Sequence, residues 1–390
     1  MMKTMKKLKM GMIGGGPGAF IGAIHRNAAL MDGLIELVAG VFSSNPEKSR
    51  QAGEELMLDP SRVYSHYDEL FAKELELPEE QRIDIVCIVT PNNVHYDPAK
   101  KALEAGFHVV LDKPMTLTYE EAVSLYKCIQ TSSSLFCLTH TYTGYPMIKQ
   151  MKQMIAEGAI GTVKKVYVEY PQGWLYRLLE HENKQASWRT DPARNGKAGC
   201  FGDIGTHAFN MAEYVTGLEV TAICASLHTK VEGRYIDDDG ALLLQFSNSA
   251  NGVLTASQIN TGAENNLKIR VYGDKGGLEW EQELNNSLVA RWPDRPDEVF
   301  RAGTSYLGSL AQANTRTPAG HPEGYIEAFA NIYRNFARTI YAKRKGVVPL
   351  PEWLDFPGAE DGIRGMAFID LVLKSNQSSQ KWTPFEVLKD

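Results

Sequence analysis

The chain has 390 residues, which at roughly 150 residues per domain leaves room for two or three domains and for a core that needs no disulfide or metal staple. Hydrophobic residues make up 43%, charged residues 23% and aromatic residues 9%, spread along the whole length, and this excludes long disorder and collagen-like repeats. Forty-one Lys and Arg against 47 Asp and Glu leave a net charge of −6, so no basic field draws the protein to phosphate backbones and no nucleic-acid partner is expected.

The stretch Met1 to Lys9 is basic, but no apolar run follows that is long enough for a signal segment or a membrane span, so the expectation is a cytoplasmic protein with no membrane partner. From Leu8 to about Thr139 short apolar runs alternate with helix-like segments. Leu8–Ile13, Leu37–Phe42, Ile83–Thr90, Val109–Leu111 and Leu135–Leu138 read as strands. The unbroken hydrophobicity of the third implies burial on both faces, the mark of a parallel sheet covered by helices. Asn93 to Ala105, stopped by Gly106, and Thr118 to Gln130, opened by a capping-type Thr-Tyr-Glu-Glu, read as helices. The expectation is a doubly wound α/β dinucleotide-type domain over 1–145.

After Pro146 a helix, Met147 to Glu157, ends at Gly158 and strands then dominate. Val166, Val168 and Tyr170, like Leu267, Ile269 and Val271, alternate with polar neighbours, the pattern of an antiparallel sheet with one wet face. Val220–Leu227, Ala241–Phe246, Gly252–Ile259, Gly277–Glu281 and Ser287–Trp292 are further strands, and Gly324–Ala342 and Ala359–Lys374 late helices that pack here or return to the first domain. The span 146–390 is expected to be an α+β domain with a large, mainly antiparallel open sheet. The stretch Pro318 to Tyr325 reads as the start of a helix rather than a substrate loop.

Gly14, Gly16 and Ala19 fit G-x-G-x-x-A directly after the first strand, and with Pro17 and Phe20 they form a loop opening a helix. Such a loop brings backbone N–H groups and a helix N-terminus to a pyrophosphate. At the end of the second strand, where an acidic residue would bind a ribose 2′-hydroxyl, stand Ser43 and Ser44, with Lys48 and Arg50 nearby. Hydroxyls and cations there admit a 2′-phosphate, so the cofactor is NAD or NADP, with NADP slightly favoured. Thr90, Pro91, Asn92 and His95 follow the third strand, and Asp112 and Lys113 follow the fourth, both on the strand edge where ligands bind in such sheets. Further on, Asp203 and His207 stand four residues apart, on one face if the segment is helical, so that a carboxylate and an imidazole are available for proton transfer. A metal site lacks a third ligand at a set spacing, and His140, His181 and His321 have no spacing logic. The five cysteines, Cys87, Cys128, Cys137, Cys200 and Cys224, are odd in number and lack C-x-x-C spacing, as expected of thiols without a disulfide or zinc role.

Together the glycine loop, Thr90-Pro91-Asn92-Asn93-Val94-His95, Ala102 to Gly106, Asp112-Lys113-Pro114, Gly158 to Gly161 and Gly202-Asp203-Ile204-Gly205-Thr206-His207 resemble the glucose–fructose oxidoreductase, inositol dehydrogenase and rhizopine-catabolism (Gfo/Idh/MocA) family across nearly the whole chain. The resemblance implies NAD(P)-dependent oxidation of a sugar, glycoside or cyclitol. Lys113 would match the family's catalytic lysine, Asp203 its substrate-orienting carboxylate and His207 its acid–base histidine, with Thr90, Asn92 and His95 beside the nicotinamide. Tyr170 to Trp174 with Trp188 and Arg189 resemble the sugar-pocket wall of the branch that includes levoglucosan dehydrogenase, so Tyr142, Gln172, Trp174, Trp188 and Arg189 join Lys113, Asp203 and His207 as expected substrate contacts. Asp112 stands where the family usually has Glu. Thr143 stands where many members carry an Arg, and the missing guanidinium favours a neutral sugar. His207 is expected as general base with Lys113 polarising the reacting oxygen, the converse assignment remaining open. The alternatives to a dehydrogenase are a non-catalytic NAD(P)-dependent sugar sensor and a redox-assisted glycoside lyase or hydrolase on the same residues. The resemblance also implies a homodimer or homotetramer paired through the open sheet.

Overall fold

Five strands with few polar side chains begin the chain: β1 (Leu8–Gly14), β2 (Ile35–Val41), β3 (Ile85–Val89), β4 (His108–Leu111) and β5 (Phe136–Leu138). In this computed structural model, which describes residues 6–387, they form a parallel sheet in the order β2-β1-β3-β4-β5. Val63 adds a single parallel bridge to Gly40 outside β2, a sixth strand reduced to one residue pair. Every residue of β3 is buried, as its unbroken hydrophobicity requires. The chain leaves β1 to one side and returns at β3 on the other, so the ends of β1 and β3, paired through Gly14 and Val89, form the switch point at which such sheets bind ligands. Residues up to Thr139 and Phe329–Gly362 make one compact unit. Met1 to Met5, part of the basic stretch, lie outside the described residues.

The second unit comprises His140–Ala328 and the chain from Ile363 onward. Its strands are β6 (Val163–Pro171), β7 (Val220–His228), β8 (Asp239–Phe246), β9 (Asn251–Ser257), β10 (Lys268–Gly273), β11 (Gly277–Glu281), β12 (Ser287–Arg291), β13 (Glu298–Arg301) and β14 (Thr383–Pro384). They form one sheet in the order β13-β12-β11-β10-β6-β9-β8-β7-β14. All pairs are antiparallel except β6 with β9. The parallel pair brings the C-terminal ends of both strands side by side, with Pro171 opposite Ser257, and this end becomes the site.

On the buried face Val166, Val168, Tyr170, Leu242, Leu244, Ile269 and Val271 point inward. The helix Thr206–Thr216 packs on β6, β9 and β10, and the helix Pro146–Ala156 on β11 and β12. Phe209 stacks on Phe368 at 4.5 Å and on Phe385 at 5.5 Å, each large buried side chain contributing about 1.5–3 kcal/mol. The stretch from Pro318 leads into a helix that begins at Tyr325.

Candidate active site

The glycine loop is built by close approach. A Cβ on Gly16 would lie 2.3 Å from the carbonyl oxygen of Phe42 at the end of β2, and one on Gly14, whose φ is +89°, would lie 2.9 Å from the Val89 carbonyl. Only glycine permits the chain to fold this tightly against two strand ends. The helix that follows, Phe20–Leu30, carries no acidic residue in its first turn and no side-chain cap at Ala19, which leaves its N-terminal N–H groups to an anion. Phe20 is 62% exposed beside it. The cradle therefore fits a dinucleotide pyrophosphate.

At the end of β2, Asn45 caps the next helix by accepting the Lys48 N–H at 3.0 Å, and Ser43 accepts the Asn45 N–H at 3.1 Å. The guanidinium of Arg50 is shared between Glu47 at 2.7 Å and Glu54 at 2.8 Å. Of the two cations in the expected 2′-phosphate pocket, Arg50 thus lies in surface ion pairs on its own helix.

Thr90, Pro91 and Asn92 occupy the turn after β3, and Lys113 the turn after the neighbouring β4. His95 is buried, and its ring sits between two carbonyls, Nδ1 2.8 Å from Pro114 O and Nε2 2.9 Å from Thr90 O. The sequence placed His95 among the cofactor contacts; in the structure its two ring nitrogens face the backbone of the two turns. Burial pushes its pKa down against the raising effect of Asp112, so the ring is neutral and donates to one of the two carbonyls. Asp112 Oδ1 accepts the Lys113 backbone N–H at 2.9 Å and the Thr139 hydroxyl at 2.9 Å.

The second unit gathers its expected residues at the ends of β6 and β9. Gln172 directly follows β6. Its side-chain carbonyl accepts from Trp174 Nε1 at 3.0 Å and from Gln258, directly after β9, at 3.4 Å. Gln258 Nε2 also donates to Asp203 Oδ2 at 3.0 Å, and Arg189 Nε lies 3.5 Å from the same oxygen. Arg189 stacks on Trp188 at 4.5 Å. Asn265 accepts from the Tyr170 hydroxyl at 2.9 Å and reaches the Tyr142 hydroxyl at 3.4 Å, while the two tyrosine hydroxyls bond each other. Burial raises the pKa of both phenols, so both stay protonated. The His207 ring stands edge-on to Tyr142 at 4.8 Å and has its Nδ1 3.4 Å from that of His140.

A plain helix over Asp203 to His207 is corrected in one respect. Phe201–Gly205 is a widened, π-type turn, and the α-helix begins at Thr206; such turns recur at functional sites. Thr143 is buried with its hydroxyl on His140 O at 2.9 Å. Gln258 and Asn265 were missed by sequence reasoning, and His140 was named without a role. Their signal is the register of β6 against β9, which local spacing does not carry. No group of His, Cys, Asp and Glu among the described residues is arranged to hold a metal ion, and no helix among them is long and apolar enough to cross a membrane.

A glycine cradle at the switch point of a parallel sheet and a polar, aromatic cluster on a second sheet define the class of dinucleotide-dependent oxidoreductases. A family profile described as oxidoreductase family, NAD-binding Rossmann fold, matches residues 8–140, and one described as GFO/IDH/MocA C-terminal domain matches residues 148–279. The chain belongs to the GFO/IDH/MocA oxidoreductase family. An inositol dehydrogenase homologue from Azotobacter vinelandii, solved with NAD+, is 32% identical with a TM-score of 0.93 over 98% of each chain. One from the same organism, solved with NADH and myo-inositol, is 31% identical with a TM-score of 0.89 over 97% of this chain and 98% of that one. The levoglucosan dehydrogenase of Pseudarthrobacter phenanthrenivorans is 27% identical over 78% of this chain and 81% of its own.

Proposed function

We propose that the protein oxidises a secondary alcohol of a neutral sugar, glycoside or cyclitol, reversibly, with NAD(P) as hydride acceptor. The observation that carries this reading is the cluster on the second unit, where one carboxylate, three amides, two phenols and two indoles converge, the set that recognises a ring bearing many hydroxyls. The relatives named for inositol and levoglucosan support the substrate class. The nicotinamide supplies the redox chemistry when bound.

The protein's own residues manage one proton and one oxygen. His207 takes the hydroxyl proton, Lys113 stabilises the negative charge that develops on the reacting oxygen, and Asp203 fixes an adjacent hydroxyl. Thr143 in place of an arginine and the pairing of Arg189 with Asp203 fit a substrate without phosphate or carboxylate. Lys48 and the two serines keep NADP open, whereas the ion pairs of Arg50 support NAD; KM values for NADH and NADPH decide between them.

The test is absorbance of the reduced cofactor across a panel of neutral sugars, glycosides and inositols. Turnover is expected with at least one, with kcat falling about 10²–10⁴-fold in both Lys113→Ala and His207→Ala. Losses under about tenfold in both variants would refute the assignment. Retained kcat in His207→Ala alone would make Lys113 the base. Product formed with tightly bound, unconsumed cofactor would instead mark a redox-assisted lyase or hydrolase, and binding without turnover a sensor.

A further inference from the structure

Beneath Asp112 lies a buried cluster that the chemistry above leaves without a role. His25, on the helix Phe20–Leu30, is 0% exposed. Its Nδ1 is 2.7 Å from the Tyr333 hydroxyl and 3.4 Å from Cys87 Sγ, which is itself 3.1 Å from that hydroxyl. Its Nε2 faces Asp112 Oδ1 at 3.7 Å and has no hydrogen-bond partner at ordinary length, so the two stand at ion-pair rather than hydrogen-bond distance. Phe329 stands edge-on to the ring at 4.6 Å. The same Asp112 oxygen that faces His25 holds the Lys113 backbone N–H and the Thr139 hydroxyl.

We propose that His25 is a positioning residue, an imidazolium that anchors the Asp112 carboxylate and through it the backbone of Lys113. A buried carboxylate without a cation is costly, and removing its partner leaves an uncompensated charge. Asp112 needs one in order to serve as a double acceptor, and His25 is the group enclosed directly below it. Burial alone pushes the imidazole down; the Cys87 sulfur and Asp112 outweigh it and raise the pKa to about 9. Burial likewise pushes Asp112 up, and His25 and Lys113 outweigh it, holding the carboxyl well below its usual range. Both directions keep the pair ionised at neutral pH. The titratable groups facing His25 are Cys87 from β3, Asp112 after β4 and Tyr333 from the helix Tyr325–Arg344. The short side chain of Asp112 keeps its carboxylate at backbone level, within reach of the Lys113 N–H above and His25 below.

The placement stands on its own, and the catalytic consequence rests on the dehydrogenase reading. The test is NMR on the full chain with 15N-labelled histidine and an assigned Lys113 amide, beside steady-state kinetics. In the wild type His25 is expected to keep both ring protons at pH 8 and in Asp112→Asn to lose one; in His25→Gln the Lys113 amide resonance moves. The kcat of His25→Gln falls about 10- to 100-fold, the worth of the charged hydrogen bond from the Lys113 N–H to Asp112 that His25 is to hold in place, with KM for cofactor nearly unchanged. A neutral His25 at pH 7 in the wild type, or an unmoved Lys113 amide in His25→Gln, overturns the proposal. Should His25→Gln fail to fold, Tyr333→Phe keeps the ring and removes the hydroxyl on Nδ1; it must lower the titration midpoint of His25, and an unchanged midpoint overturns the proposal as well. A wild type that turns over no sugar sinks the dehydrogenase reading, while the two resonances still decide the role of His25.

Discussion

Asp203 owes its place to Gln258, a residue 55 positions further along the chain. The amide of Gln258 bridges Asp203 and Gln172, so it fixes the carboxylate and the pocket wall together. In Gln258→Leu, a change of similar volume that removes the amide, Asp203 loses a charge-assisted hydrogen bond that contributes about 1.5–3 kcal/mol. Steady-state kinetics should show KM for the sugar rising about 10- to 100-fold, with KM for the cofactor unchanged. A variant with sugar KM within about twofold of the wild type would make Gln258 a bystander. The residues legible in the sequence are those whose role is local. Gly14 and Gly16 announce themselves by turn chemistry, and Lys113 by the resemblance of Asp112-Lys113-Pro114 to the family's motif beside the Thr90–His95 stretch. Gln258, Asn265 and His25 are brought to their partners by strand pairing and helix packing across 55 to 308 positions of chain, and an amide or imidazole in a single sequence has no pattern that says which partner it will meet.

Elements are legible where hydrophobic periodicity decides them. All five strands of the first sheet and β6 to β12 follow from apolar runs or alternation, as does the capping box at Thr118 and Glu121 that opens the helix Tyr119–Thr131. The short edge strands β13 and β14 and the one-turn helices Lys184–Arg189 and Pro192–Asn195 were not visible, since a few residues held by tertiary contacts or side-chain caps give no period to read. The junction of β4 and β5 carries a pH dependence of its own. His108 opens β4, and its Nδ1 accepts the Leu135 N–H at 2.9 Å, which requires the neutral ring. Burial, then the charges of Arg344 and Lys343, lower its pKa to about 4. The unfolded chain binds this proton below about pH 6.5 and the folded chain only near 4, so stability is fully present above pH 6.5 and declines as the pH falls towards 4. The full difference is on the order of 3 kcal/mol. Urea unfolding at pH 7.5 and pH 5 should show a clear drop in the wild type and a smaller drop in His108→Gln, which removes the titrating group. Equal drops in both proteins would assign the loss to other groups.

At the scale of the whole molecule the open face of the nine-stranded sheet is the feature that calls for a partner. Nine strands about 4.8 Å apart and roughly 20 Å long present on the order of 800 Å², the area that one side of a standard protein interface buries. Several of its charges are paired among themselves: Lys268 with Glu279 at 2.8 Å, Arg291 with Glu279 at 3.0 Å, and Arg270 with Glu169. Covering such ladders leaves fewer uncompensated charges than covering isolated ones. On either side of these pairs Leu243, on β8, is 43% exposed and Val299, on β13, 46% exposed, although both lie in regular strands. We therefore expect two copies to pair through this face, as a dimer or as half of a tetramer. Light scattering on the eluting protein should give two or four times the chain mass of 43.3 kDa, and Leu243→Glu should shift the distribution towards the single chain, because a carboxylate buried at a self-complementary interface meets its own copy or a partner without a counter-charge. A single-chain mass for the wild type at micromolar concentration would show that the face is solvated, and the ion-pair ladders would then be what keeps an exposed sheet of this size soluble.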